Sequence, residues 1–495
     1  MLEHVGHIPS MKYVPGNEIQ DHALALAEKD KLREKALFQT EVNAITWSEE
    51  TGRWHATTTR GDKIRARFIV SAIGILHKLH LPGIPGVEEF EGHTFHTSRW
   101  DYEYTGGDRY GAPLSKLRGK RVGLVGTGAS TLQVLPHLGA SGAETFVFQR
   151  TPTAVDQRIN PKTDEAWFKS LKPGWQDERA DNFEQVFFGA NPGIDMVNDG
   201  WTKHTYALHA EKDGDKTFQD RLKAADNLKM EEVRQRTARI VKDPVTAEGL
   251  KAWYGRTCKR PGFHNDYLPT FNLPNVHLVN TDGKGVERVT PKGVIAAGQE
   301  TELDCIIYAT GFDWGNDYSA RANMAITGRN GKVMSDKWNN GPSTLHGMIG
   351  RDFPNLLIFT HLQSSTSPNY THLLSERSKH AAYIIAEALK RNAKAVEPTQ
   401  DAEDAWVKRL EDIAMQYLDH FQQCTPGEEF LHTCFLARGE ENVLTLRKGY
   451  LNSEGGLSAK NLRNASVGLT GPEWYSLAKD WRSTGKLEGL ELTAW

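Results

Sequence analysis

No apolar run in the 495-residue chain approaches the roughly 20 residues that cross a bilayer. The start, Met1-Leu2-Glu3-His4, lacks the basic and apolar regions of a signal peptide. Charge of one sign is also missing: 60 Lys and Arg face 63 Asp and Glu, a net −3. That balance leaves no electrostatic footprint for nucleic acid or an anionic membrane. There are only 4 cysteines, Cys258, Cys305, Cys424 and Cys434, with no close metal-type pairing. No metal site is expected, and reduced thiols in a cytoplasmic protein are the default. Repeats and low-complexity tracts are absent. The length suits two or three domains.

The most informative stretch is Gly126-Thr127-Gly128-Ala129-Ser130. Arg121 to Val125 reads as a short buried strand and Leu132 onward as a helix. Glycines at such a turn let a pyrophosphate reach the helix N-terminal amides. A third glycine is missing, since Thr131 ends the pattern, so an ordinary Gly-rich turn stays open as an alternative. About 20 residues further on, an NAD site would carry a carboxylate. Here the strand Glu144 to Phe148 leads into Gln149-Arg150-Thr151 instead. A guanidinium and a hydroxyl suit a 2′-phosphate, which points to NADP(H).

Elsewhere, Asn17 to Gln20 reads as a helix start with Asn17 as cap. Ala36–Trp47, Arg53–Thr59 and Lys63–Ser71 read as strands, the last with Ile64, Ala66, Phe68 and Val70 on a buried face. Leu81 to Gly86 is a linker by composition. Residues from about Pro161 to Leu250 are charged and helical. Strand signals resume at Val276–Val279, Gly293–Ala296 and Asp304–Tyr308, and Ser375–Arg391 reads as a long helix.

Phe90-Glu91-Gly92-His93-Thr94-Phe95-His96-Thr97-Ser98-Arg99-Trp100-Asp101 resembles the fingerprint of the flavin-dependent Baeyer–Villiger monooxygenases: F-x-G-x-x-x-H-x-x-x-W, then Pro or Asp. Phe148 to Pro152, Cys258-Lys259-Arg260-Pro261 and Asp304 to Phe312 are similar to further segments of that family. The resemblance implies an α/β flavoprotein with two dinucleotide-binding domains. In it, residues 1–113 form a partial FAD-binding domain and linker, and 114–155 with 255–303 a Rossmann-like NADP domain. Residues 156–254 are a helical insertion, 304–390 return to the FAD domain, and 391–495 are a C-terminal extension. The family's own N-terminal G-x-G-x-x-G has no counterpart in the first 120 residues, and its A-T-G stands as Ala72-Ile73-Gly74. The first FAD-binding βαβ unit is therefore expected to be missing, with weak FAD binding as the consequence.

The resemblance also implies the chemistry. NADPH reduces FAD, oxygen is activated at the reduced flavin, and one oxygen atom enters a ketone to give an ester or lactone. Arg260 matches the family's catalytic arginine, a permanent cation for the negative charge that develops. Lys259 joins Arg150 and Thr151 around the 2′-phosphate. His96 is functional without being a proton carrier, and Trp100 is packing. Asp304, Thr310 and Gly311 fall on the flavin side, and His361 to Ser365 precedes a helix near the isoalloxazine ring. Two other readings stay open: an N- or S-oxygenating flavin monooxygenase, and a non-catalytic NADP-binding protein.

Overall fold

The structure, a computed structural model, describes residues 2–74, 76–209, 218–312, 318–360, 363–416 and 468–495. The chain divides into two compact units: Met1–Arg33, Leu79–Gln176 and Gly193–Phe312; and Glu34–Lys78, Asp177–Pro192 and Asp313–Trp495.

The first unit is built on five parallel strands, β1 (His93–His96), β2 (Arg121–Val125), β3 (Glu144–Gln149), β4 (Val276–Asn280) and β5 (Cys305–Tyr308). Their order is β4-β3-β2-β5-β1. Every residue of β5, and Val122 to Val125 of β2, is buried, as continuous apolar runs in a parallel sheet should be. Helix α1 (Ala129–Ser141) follows β2 and starts earlier than its apolar pattern suggests, with Gly128 as N-cap. Its Leu132, Leu135 and Leu138 bury one face in a core shared with Leu117, Leu124, Val147 and Tyr267. Successive strands β2, β3 and β4 extend to one side of β2, while β5 lies on the other. The order therefore reverses between β2 and β5, the place where a ligand crevice opens outside the strands' carboxyl ends.

In the second unit, Val42–Ser48 pairs antiparallel with Arg53–Thr58 and parallel with Ala325–Thr327, and Lys63–Ala66 closes the other edge. Ile69–Ser71 pairs parallel with Leu356–Ile358. Helices Tyr370–Lys390, Gln400–Gln416 and Gly471–Thr484 belong to this unit.

Several expectations change. The strand read at Lys63–Ser71 breaks after Ala66, because its second half turns to Leu356–Ile358. Ile64 and Val70, expected inside, are among the exposed apolar residues. The early helix is Gly16–Lys29, capped by Pro15 without a side-chain bond, so Asn17 is not its cap. β5 lies inside the first unit's sheet rather than beginning a return to the flavin side. The helical insertion is divided, since Asp177–Pro192 clusters with the second unit. The described part of the C-terminal hundred residues is no appendage: Trp406 and Trp474 sit in the second unit's core. Cys305 is a free buried thiol, whereas Cys258 is disulfide-bonded, against the expectation of fully reduced thiols.

Trp54 anchors the second unit's sheet. It is fully buried, packs edge-on to Trp47 at 5.7 Å, and donates from Nε1 to the Pro354 carbonyl at 2.7 Å. Trp54→Ala should cost about 3–5 kcal/mol of stability. Trp54→Phe, which keeps the ring and loses the hydrogen bond, should cost less. Denaturant unfolding measures both, and an alanine variant as stable as the parent would contradict this packing.

Candidate active site

At the carboxyl end of β2 the backbone packs tightly against the residue that follows β5. Gly126 has φ +107°, and a Cβ there would lie 2.6 Å from the Ala309 carbonyl oxygen. Only glycine meets both conditions. Its N–H donates to the Phe148 carbonyl at 3.1 Å, fixing the turn against β3. Thr131, where the longer motif would place a third glycine, is fully buried and donates from Oγ1 to the Gly126 carbonyl at 2.8 Å. Threonine at that position is a brace rather than a defect.

Beyond Gly126 the turn is open. Gly128, Ala129 and Ser130 are exposed, no protein atom lies within 4 Å of a Cβ on Gly128, and no side chain caps α1. Helix amides left in that state, beside a glycine with free space above it, fit a pyrophosphate.

The residues expected to meet a 2′-phosphate are tied to this turn. Thr127 Oγ1 donates to the Thr151 carbonyl at 2.7 Å, and Thr153 Oγ1 donates back to the Thr127 carbonyl at 2.5 Å. These bonds hold Arg150 and Thr151, at the end of β3, in register with the glycines. Arg150 is exposed. Lys259 reaches the same segment through Tyr254, a residue the sequence did not single out. Lys259 Nζ lies 4.9 Å from the Tyr254 ring, whose hydroxyl donates to the Pro152 carbonyl at 2.7 Å. The next residues, Gly262–Phe263, pair with Val155–Asp156. Arg260 is exposed, its guanidinium 5.9 Å from the Trp201 ring, which in turn packs on Phe263 at 4.9 Å.

His96 ends β1 opposite Tyr308 and is 4% exposed. Ser98 N donates to its Nδ1 at 3.2 Å, so the ring carries its proton on Nε2. Its pKa is lowered, by burial first and by Arg99, while the Gly311 backbone opposes the shift. His96 is thus a buried, neutral ring whose tautomer is set by the local turn. Trp100 packs edge-on against Phe95 at 5.1 Å.

Thr310 and Gly311 follow β5 at the same end of the sheet. Thr310 Oγ1 donates to the His80 carbonyl at 2.5 Å, and His80 N donates to the Gly311 carbonyl at 3.0 Å. Gly311 has φ +80° and open space at its Cβ position. Asp304, by contrast, stands before β5 at the opposite edge, where its Oδ2 accepts from the Arg121 amide at 2.7 Å. Distance along the strand separates it from the crevice, so Asp304 leaves the set of cofactor candidates.

In the second unit, two paired parallel strands end at Ser71 and Ile358. Close to the Ile358 end lies Arg377, fully buried in helix Tyr370–Lys390. It donates to the carbonyls of Thr360, Gly347 (2.5 Å) and Ile358 (2.9 Å), and burial pushes its pKa down to about 10. Among the described residues it has no carboxylate partner. Ser364 Oγ also accepts from it at 3.2 Å, so this buried cation is satisfied by backbone carbonyls and a hydroxyl. The sequence did carry the signal: Leu373, Arg377, His380, Ala381 and Ile384 fall on one helical stripe. His361 and Leu362, also expected near a flavin, lie outside the described residues.

Comparison with known proteins adds the family. Residues 7–166 match the model described as flavin-binding monooxygenase-like. The Baeyer-Villiger monooxygenase ATR8 of Stachybotrys chlorohalonatus is 45% identical over 500 residues, which cover 99% of this chain and 76% of that protein. A polycyclic ketone monooxygenase from the thermophilic fungus Thermothelomyces thermophila superposes with a TM-score of 0.87 at 37% identity, over 100% of this chain and 80% of that one. The crystal structure of OTEMO in complex with FAD and NADP superposes with a TM-score of 0.75 at 25% identity, over 99% and 88%. With the fingerprint around His96 and these relatives in agreement, the chain belongs to the flavin-dependent Baeyer–Villiger monooxygenases.

Proposed function

We propose that the carboxyl edge of the first unit's sheet binds NADP(H), and that Arg260 is the cation which serves oxygen insertion into a ketone to give an ester or lactone. The observation that carries this reading is the braced, open turn at Gly126–Ser130, locked by Thr127 to the segment bearing Arg150 and Thr151. When bound, FAD and NADP(H) supply the redox chemistry that activates O2. The protein's share is placement and charge.

The free amides of Ala129 and Ser130 receive the pyrophosphate. Arg150, Thr151 and Lys259 take the 2′-phosphate. Thr310 and Gly311 give close backbone access beside the turn, and His96 packs edge-on against Phe312 at 5.6 Å. Arg260 holds positive charge near the reacting oxygens, where a guanidinium stays ionised at any working pH. The relatives' names support a bulky, fused-ring ketone as the substrate class.

NADPH should bind more tightly than NADH. A lost charge-assisted phosphate contact costs about 1.5–3 kcal/mol, roughly tenfold or more in affinity. Arg150→Ala should therefore weaken NADPH and leave NADH nearly unchanged. Fluorescence titration of both nucleotides checks this, and equal affinities in the parent would remove Arg150 from its role.

Arg260→Ala in the FAD-loaded enzyme should abolish ester formation while the NADPH dissociation constant hardly moves. Its charge is required in the transition state of oxygen transfer, not for nucleotide binding. Product analysis beside nucleotide titration separates the two. Normal ester yield from the variant would exclude Arg260 as the essential cation.

A further inference from the structure

The buried stripe of helix Tyr370–Lys390 carries a histidine that the proposed reaction leaves unused. His380 is fully buried, and its Nε2 lies 3.1 Å from Nδ1 of His346, itself 6% exposed. On the far side, Arg482 Nη1 lies 3.4 Å from His380 Nδ1. A guanidinium only donates, so His380 Nδ1 is the acceptor. Both rings are neutral at ordinary pH. Burial, then His346, Arg482 and Arg377, pushes His380 down to about 2; burial, then Arg409, pushes His346 down to about 4.

A neutral imidazole carries one N–H. His380 must therefore hold its proton on Nε2 and donate it to His346 Nδ1. His346 in turn must hold its own proton on Nε2. Arg482 thus fixes a tautomer two rings away.

That second N–H has no partner among the described residues. His346 borders a shallow surface cavity of about 320 Å³, largely open to solvent, together with Trp406, Trp481, Leu477, Arg409 and Glu488. The imidazole stands nearly perpendicular to both indoles, at 5.0 Å from Trp406 and 5.3 Å from Trp481. His346 has φ +57°, a left-handed conformation that a non-glycine residue keeps only where its surroundings hold it. Trp474 Nε1 helps hold it, donating to the His346 carbonyl at 3.3 Å. Arg409 adds a cation 5.9 Å from the Trp406 ring. Glu488 contributes from the exposed rim, and its carbonyl is engaged by Trp481 Nε1 at 2.9 Å. His346 is the buried polar group of the lining, while Arg409 and Glu488 both stand exposed at the rim.

We propose that this cavity, built wholly from second-unit residues, is an additional ligand site for a small planar carboxylate. The ligand's apolar body lies against Trp406 and Trp481, and its carboxylate takes the Nε2–H of His346 and the charge of Arg409. Aromatic surfaces recognise the body, and a neutral donor beside a guanidinium recognises the anion without a buried ion pair.

The test uses benzoate as probe, with benzyl alcohol as its neutral counterpart, read by saturation-transfer NMR and calorimetry on the 495-residue chain. Benzoate should bind about tenfold more tightly than benzyl alcohol, and Arg409→Ala should erase that preference. Arg482→Met touches nothing in the cavity wall yet frees the tautomer, so it should weaken benzoate severalfold while benzyl alcohol is unaffected. The circular dichroism of each variant reports folding. Absence of benzoate binding to the parent, equal binding of the two probes, or a folded Arg409→Ala variant that retains the preference would each overturn the assignment.

Discussion

One close contact organises the nucleotide site: the approach of the Gly126 backbone to the Ala309 carbonyl. Any side chain at 126 would push its Cβ to 2.6 Å from that oxygen, so the carboxyl ends of β2 and β5 could not converge. Their convergence sets where the sheet order reverses, and with it where α1 points its unsatisfied amides. Thr131 and Thr127 then hold the turn from two directions, one to Gly126 and one to Thr151. The proposed dinucleotide cradle is thus a consequence of strand packing, and the residues proposed to read the 2′-phosphate inherit their position from it.

Much of this was legible in the chain because short-range patterns control it. The strands β2, β3 and β4 are apolar runs bounded by turn residues, and the glycine motif falls between two of them. Arg150 follows β3 at the spacing the motif requires. Errors arose where pairing is decided by distant chain. The alternation Ile64, Ala66, Phe68, Val70 is a genuine strand pattern, yet nothing local says that Ile69–Ser71 leaves its hairpin for a partner nearly 300 residues away. Asp304 shows the same limit. Its strand was found correctly, but strand direction in the sheet decides which end faces a ligand, and β5 runs parallel to β2. Tyr254 carried no sequence signal at all, since its part is to link two loops about 100 residues apart.

Arginines in the two units show how burial divides their uses. Arg377 has lost its water and depends on backbone carbonyls, so its charge is costly, fixed and lowered in pKa. It gives one segment, from Gly347 to Thr360, a common anchor. A charge of that kind can hold structure or answer a bound anion. It cannot move without leaving carbonyls unsatisfied.

Arg260 is the opposite case, and its exposure sets the condition for its chemistry. In water, a guanidinium acts on a charge a few ångströms away with about 1 kcal/mol, against several when solvent is excluded. An exposed Arg260 therefore contributes little until ligands displace the water around it. What it has already is orientation, because the turn beneath its neighbour is clamped. Asp199 takes Lys12 at 2.7 Å and the Tyr13 hydroxyl at 2.6 Å, and accepts the Trp201 amide at 3.0 Å. Trp201 is thereby held against Phe263 and presents its face to Arg260. Flat aromatic support costs a guanidinium none of its charge and leaves its donors free. The charge proposed for catalysis can thus wait in solvent against an aromatic wall, and would gain strength only as bound cofactor and ketone exclude water from it.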